Sequence, residues 1–262
     1  MIRIGTTLAA AAAALSLAPS AEALAPADKP TVILVHGAFA DSSSWDPVAA
    51  RLLAGGYKVI AAAVPLRSIK GDAEYVSSIV AAQPGKVVLV GHSYGGAVIS
   101  AATAPEGKIK SLVYVAGFAL DVGESGQTIS DRFPEGTLGQ ALATPVPLAD
   151  GSKDLYILPA KFWAQFAADV PESKAANMAV TQRPVTAGAL NEPAALTGWK
   201  TVPSWFIYGS LDKNIPRSAH AFMASRARAR EAIEVKGSSH VVMLSHPSEV
   251  AAMIERAAKA PE

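Results

Sequence analysis

Short apolar runs alternate with stretches of helical spacing along most of this chain. Thr31 to Val35 is an unbroken apolar, largely β-branched run, the pattern of a strand buried on both faces. Tyr57 to Val64, Lys86 to Val90, Ile109 to Ala116, Val202 to Tyr208 and Ala232 to Val235 read as further strands. Ser44 to Leu53, Asp72 to Ala82, Ala97 to Thr103, Ser218 to Ala229 and Ser248 to Ala260 carry helical patterning between and after them. Such alternation predicts an α/β fold, a mostly parallel sheet with helices on both faces. The interval from about 120 to 199 breaks the rhythm. Pro134, Pro145, Pro147, Pro159, Pro171, Pro184 and Pro193 punctuate it, leaving room for helices near Lys161 to Asp169 and Pro171 to Gln182. It reads as an insertion within one domain, since 262 residues suit one α/β domain with an insertion better than two domains.

The first residues follow a different pattern. Arg3 supplies a positive start, Thr7 to Ala18 an alanine-rich apolar core, and Ala21-Glu22-Ala23-Leu24-Ala25 small residues at cleavage spacing. This order predicts a secretory signal peptide over residues 1–25, cut after Ala25 or Ala23, with a mature domain over 26–262. The apolar run is too short and weakly hydrophobic for stable membrane insertion. Export is therefore expected, to the periplasm or the medium if the host is a bacterium.

Composition removes several classes of function. Lys and Arg total 23 against 22 Asp and Glu, so no basic surface for nucleic acid or anionic lipid is implied. Cysteine is absent, which excludes disulfides and thiolate metal sites. The Arg226, Arg228, Arg230 alternation reads as a solvated helix end.

Candidate chemistry centres on Gly91-His92-Ser93-Tyr94-Gly95, where the Lys86 to Val90 strand runs into a small-residue helix. Gly-x-Ser-x-Gly at a strand-to-helix turn holds a serine strained and exposed, with the helix N-terminus aimed at any oxyanion formed there. A serine hydroxyl also needs a base, an orienting carboxylate and oxyanion donors. His240, in the loop before the last helix, is the favoured base; His246, beside Pro247, is explained equally well by helix capping. Asp212, just beyond the Val202 to Tyr208 strand, is the favoured acid, with Asp121 as competitor. The oxyanion donors are expected to be the amides of Tyr94 and Ala38, the latter in His36-Gly37-Ala38-Phe39 after the first strand. His36 and His92 adjoin the reaction point without facing it, and His220 reads as a helix-surface residue. Phe39, Phe162, Trp163 and Phe166 are candidate substrate contacts. The three in the insertion share helical spacing and would serve equally to glue the insertion to the main domain.

Together, His36-Gly37-Ala38, Gly91-His92-Ser93-Tyr94-Gly95-Gly96 and the ending around His240 resemble the α/β-hydrolase superfamily along essentially the whole chain after the leader. The likeness is greatest to small-cap esterases related to plant methyl esterases and hydroxynitrile lyases. It implies a small cap over the active site at about 120–199, with Ser93 as nucleophile, Asp212 as acid, His240 as base and Ala38 and Tyr94 as oxyanion donors. It implies a serine esterase acting on a small-molecule ester without metal or cofactor. The lyase branch implies threonine where Gly37 stands and lysine where Val241 stands; both are missing. Epoxide hydrolases and dehalogenases of this fold use aspartate in place of Ser93. Three other readings stay open: a C–C lyase, a non-turnover ligand receptor, and perhydrolase side activity from the same triad.

Overall fold

The computed structural model describes Met1 and residues 29–261. The leader reading falls on residues outside those described. Six parallel strands form the main sheet: β1 (Thr31–Val35), β2 (Val59–Ala62), β3 (Val87–His92), β4 (Ile109–Val115), β8 (Ser204–Gly209) and β9 (Glu231–Val235), in the order β2-β1-β3-β4-β8-β9. The helices outside the insertion are α1 (Asp46–Ala54), α2 (Ile69–Ala81), α3 (Tyr94–Ala101), α9 (Arg217–Arg226), α10 (Val242–Ser245) and α11 (Pro247–Lys259).

The chain leaves β1 outward through α1 to β2, then returns past β1 through α2 to β3. Right-handed crossovers running in opposite directions put α1 and α2 on opposite faces of the sheet. Accordingly α2 packs on α3, and α1 on α11. The central strands are covered on both sides, and every residue from Val32 to Val35 and from Val87 to Val90 is fully buried. β9 lies at the edge, where Ala232 and Glu234 are exposed between partly buried neighbours.

Local chemistry shifts some element ends from the sequence pattern. α2 starts at Ile69, not at Asp72, because the Ser68 hydroxyl caps it by accepting from Gly71 N. β2 is shorter than its apolar run; Val64, outside the ladder, is fully buried all the same.

Between β4 and β8 the insertion holds α4 (Gly126–Arg132), α5 (Leu138–Ala141), α6 (Pro159–Phe166), α7 (Glu172–Thr181) and α8 (Ala187–Asn191). It also holds a small antiparallel sheet of β5 (Val146–Pro147), β6 (Lys153–Leu155) and β7 (Val185–Thr186). The sequence pattern anticipates α6 and α7 and misses the rest, whose elements are too short to show a period. The parallel strands all end toward the same side, so the loops after β1, β3, β4 and β8 converge there. Ligands of open α/β sheets bind at this edge.

Candidate active site

Ser93 joins β3 to α3 with φ 52° and ψ −122°, a left-handed conformation that costs a non-glycine residue about 1–3 kcal/mol. Neighbouring backbone enforces it. Ser93 O accepts from Gly96 N at 2.9 Å and Phe118 N at 3.0 Å, and Ser93 N donates to Val115 O at 3.3 Å. A Cβ at Gly91 would lie 2.4 Å from Gly95 O, and one at Gly95 2.5 Å from Val35 O. Only glycine permits strand, turn and helix to approach so closely.

His240 lies between β9 and α10 and is fully buried. Its Nδ1 is 2.7 Å from Asp212 Oδ2, and its Nε2 has no hydrogen-bond partner among the described residues. Asp212, in the loop after β8, also accepts from Asn214 N at 2.8 Å and Ile215 N at 3.0 Å through Oδ1. Burial alone would push this carboxyl up. The His240 and His220 rings bonded to it outweigh burial and hold it well below the usual carboxylate range. It is therefore ionised and fixes the His240 tautomer with Nδ1–H on the carboxylate, leaving Nε2 as the basic lone pair.

Asp121, the competing acid, pairs with Lys200 and accepts from Val122 N, with no bond to His240. His246 is half-buried, its Nδ1 2.9 Å from Ser245 Oγ and 3.9 Å from Asp169 Oδ2. His92 donates from Nε2 to the His240 carbonyl at 3.2 Å, with the two rings 4.8 Å apart. Burial drives its pKa far down, so it is a neutral prop beneath the base. His36 is likewise lowered by burial, and its Nδ1 is 3.0 Å from Gly37 O.

The amides of Ala38 and Tyr94 donate to no acceptor among the described residues. Ala38 and Ser93 both border a cavity of about 530 Å³ between the main domain and the insertion. That volume suits a small organic ligand. Phe39, Phe118, Leu138, Leu142, Leu190 and Ile215 supply much of its apolar wall. Among the described residues no Lys, Arg or His lines it, and Asp131 is its one charged residue.

Four side-chain placements bear on the sequence reading. Phe162 and Phe166 are fully buried and Trp163 is 41% exposed, and none of them lines this cavity. Phe166 instead meets the His240 ring edge-on at 5.2 Å, and Trp163 donates from Nε1 to Val170 O at 3.0 Å. Phe166, which also meets Phe39 and His92, ties the insertion to the main domain, Phe162 packs on Phe166 and Trp163 bonds within the insertion, while α4 and α5, unread in the sequence, face the cavity. His220 corrects the helix-surface reading. It is fully buried on α9, stacked on Tyr208 at 4.8 Å, with Nε2 3.1 Å from Asp212 Oδ2. The available signal was its place in a buried stripe with Ala219, Met223 and Ala224.

Among the described residues no group of His, Asp and Glu could hold a metal ion, and no helix is long and apolar enough to cross a membrane. The family model for the alpha/beta hydrolase family matches residues 32–253. The chain belongs to that family. It is 26% identical to methylesterase 3 of Arabidopsis thaliana, over 86% of this chain and 95% of the relative. It is 25% identical to an alpha-hydroxynitrile lyase of the same plant, over 83% and 93%. The crystal structure of polyneuridine aldehyde esterase superposes with a TM-score of 0.76 at 20% identity, covering 87% of this chain and 98% of that one.

Proposed function

We propose that this protein is an exported serine hydrolase that cleaves small carboxylic esters through an acyl-enzyme on Ser93. The observation that carries the reading is the buried Asp212–His240 pair, whose Nε2 has no partner among the described residues and whose ring lies 4.8 Å from that of His92, the residue before the strained Ser93. His240 Nε2 takes the Ser93 proton as Oγ attacks the ester carbonyl. The amides of Ala38 and Tyr94 then receive the oxyanion. His240 returns the proton to the leaving alcohol, activates a water, and the acyl group leaves as the acid. Asp212 stays ionised throughout and stabilises the imidazolium formed in each step.

Similarity to a methylesterase supports ester hydrolysis; similarity to a lyase raises C–C cleavage as a second reading. Two features oppose the lyase. A Cβ at Gly37 would lie 2.6 Å from Ser93 Cβ and 2.9 Å from His92 O, so threonine does not fit without backbone movement. Val241 is fully buried, and among the described residues no cationic side chain lines the cavity to receive cyanide. Export rests on the leader pattern alone; N-terminal sequencing of secreted protein should find Leu24 or Pro26 first.

Ser93→Ala removes one oxygen and should leave the fold intact. We expect turnover of short aryl esters to fall by about 10⁴-fold or more, with no enzyme-dependent cyanide release from mandelonitrile by the parent protein. A variant keeping more than about a tenth of the parent rate rules out Ser93 as nucleophile.

A further inference from the structure

We propose that His220 is a positioning residue for catalysis, a second imidazole bound to the carboxylate that serves His240, and that it tunes the basicity of that base. The inference rests on the triad reading above. Asp212 Oδ2 is shared by the two rings, His240 Nδ1 at 2.7 Å and His220 Nε2 at 3.1 Å. Oδ1 is filled by the amides of Asn214 and Ile215, so the carboxylate is held by four donors and cannot rotate.

The protonation state of His220 follows from its surroundings. It is fully buried, faces Tyr208 on one side, and its Nδ1 has no partner among the described residues. Burial lowers its pKa, offset in part by the bond to Asp212. A neutral ring must therefore carry its proton on Nε2 and donate it to Oδ2, with Nδ1 a bare lone pair. A core histidine kept only for packing has no need of this bond, and an apolar ring would leave no unpaired nitrogen.

The consequence for catalysis is electrostatic. A donor on Oδ2 draws negative charge away from the oxygen that holds His240 Nδ1–H. The carboxylate then stabilises the His240 imidazolium less than a carboxylate bonded to that ring alone would. The same bond fixes the carboxylate plane, which aims the Nε2 lone pair. Other titratable groups nearby are His92 behind the base, His36 beyond it, Tyr208 under His220, and Asp169, which pairs with the Ser239 hydroxyl next to His240. His36, His92 and Tyr208 are neutral near pH 7, and Asp169 is held ionised against its burial by the hydroxyls and amide bonded to it.

The test is the pH profile of kcat/KM for a short aryl ester with His220→Phe and His220→Gln. Phenylalanine keeps the stack on Tyr208 and removes the donor; the glutamine amide can restore it. In His220→Phe the acid limb should move up by about half a pH unit or more, and the plateau should fall about tenfold. His220→Gln should return the limb toward the parent. A His220→Phe limb superimposed on the parent's, or a limb that glutamine leaves displaced, overturns the proposal, since a purely structural role would lower Tm alone. Should His220→Phe not fold, ¹⁵N-histidine NMR of the parent protein decides. His220 should show the neutral Nε2–H tautomer from pH 6 to 8; an imidazolium or the Nδ1–H tautomer contradicts it. Failure of the triad itself is separate, because it would appear as an active Ser93→Ala.

Discussion

Asp212 and Asp72 are both buried carboxylates, and their neighbours move them in opposite directions. Asp212 has two imidazoles and two amides bonded to it and is held ionised. Asp72, on α2, accepts from Leu66 N at 3.0 Å and Tyr94 Oη at 2.9 Å, both on Oδ2, the Arg67 backbone amide also acts on it, and among the described residues no cation pairs with it. Burial dominates there and raises its pKa to about 6. The native state therefore binds a proton that the unfolded chain releases near 3.8. This raised value makes the Asp72 contribution to stability greatest at low pH and lost as pH rises through about 6. An asparagine side chain in its place could accept both bonds through its amide oxygen without ever ionising. Relative to the parent, Asp72→Asn should gain roughly 2 to 3 kcal/mol between about pH 4 and 7, read by urea denaturation at several pH values. Stability curves that stay parallel over that range would contradict this.

At the scale of elements, α6 braces the site without entering it. Phe166 supports His240, Gln165 reaches Asn214 Oδ1 at 2.8 Å and Lys213 O at 3.0 Å, and Asp169 just beyond it holds Ser239. One insertion helix thus steadies both the acid loop and the base loop. Phe166→Ala should cost about 3 to 5 kcal/mol and lower kcat/KM by a similar factor on every ester. Trp163→Ala, losing a half-exposed ring and one hydrogen bond, should cost about 1 kcal/mol and leave activity near parent. Thermal denaturation with kinetics on an acyl series checks both. A chain-length-dependent effect of Phe166→Ala would return that ring to the substrate wall. The sequence carried the alternation of strands and helices because two-sided burial forces unbroken runs such as Val87 to Val90. It carried Ser93, Asp212 and His240 as candidates because a tight turn and a chain order mark them. It could not show which way Phe162 and Phe166 face, since a helical stripe looks the same packed on a core or on a ligand. His220 was hidden for a related reason: its partner lies across a loop, at no diagnostic spacing.

For the molecule as a whole, a parallel sheet gathers the loops of β1, β3, β4 and β8 at one edge, and the insertion roofs that edge with a largely apolar cavity whose one charged residue, among those described, is Asp131. The proposed oxyanion amides follow β1 and β3, the proposed acid lies in the loop after β8, and the proposed base in the loop after β9. The central claim is that this assembly transfers an acyl group to Ser93. The most direct measurement is peptide mass mapping after rapid acid quench of the enzyme mixed with p-nitrophenyl acetate. One acetyl group is expected on the peptide carrying Ser93, appearing with the p-nitrophenol burst and absent from Ser93→Ala. Turnover with no acyl group on that peptide at any quench time, or with the group on another residue, would contradict it.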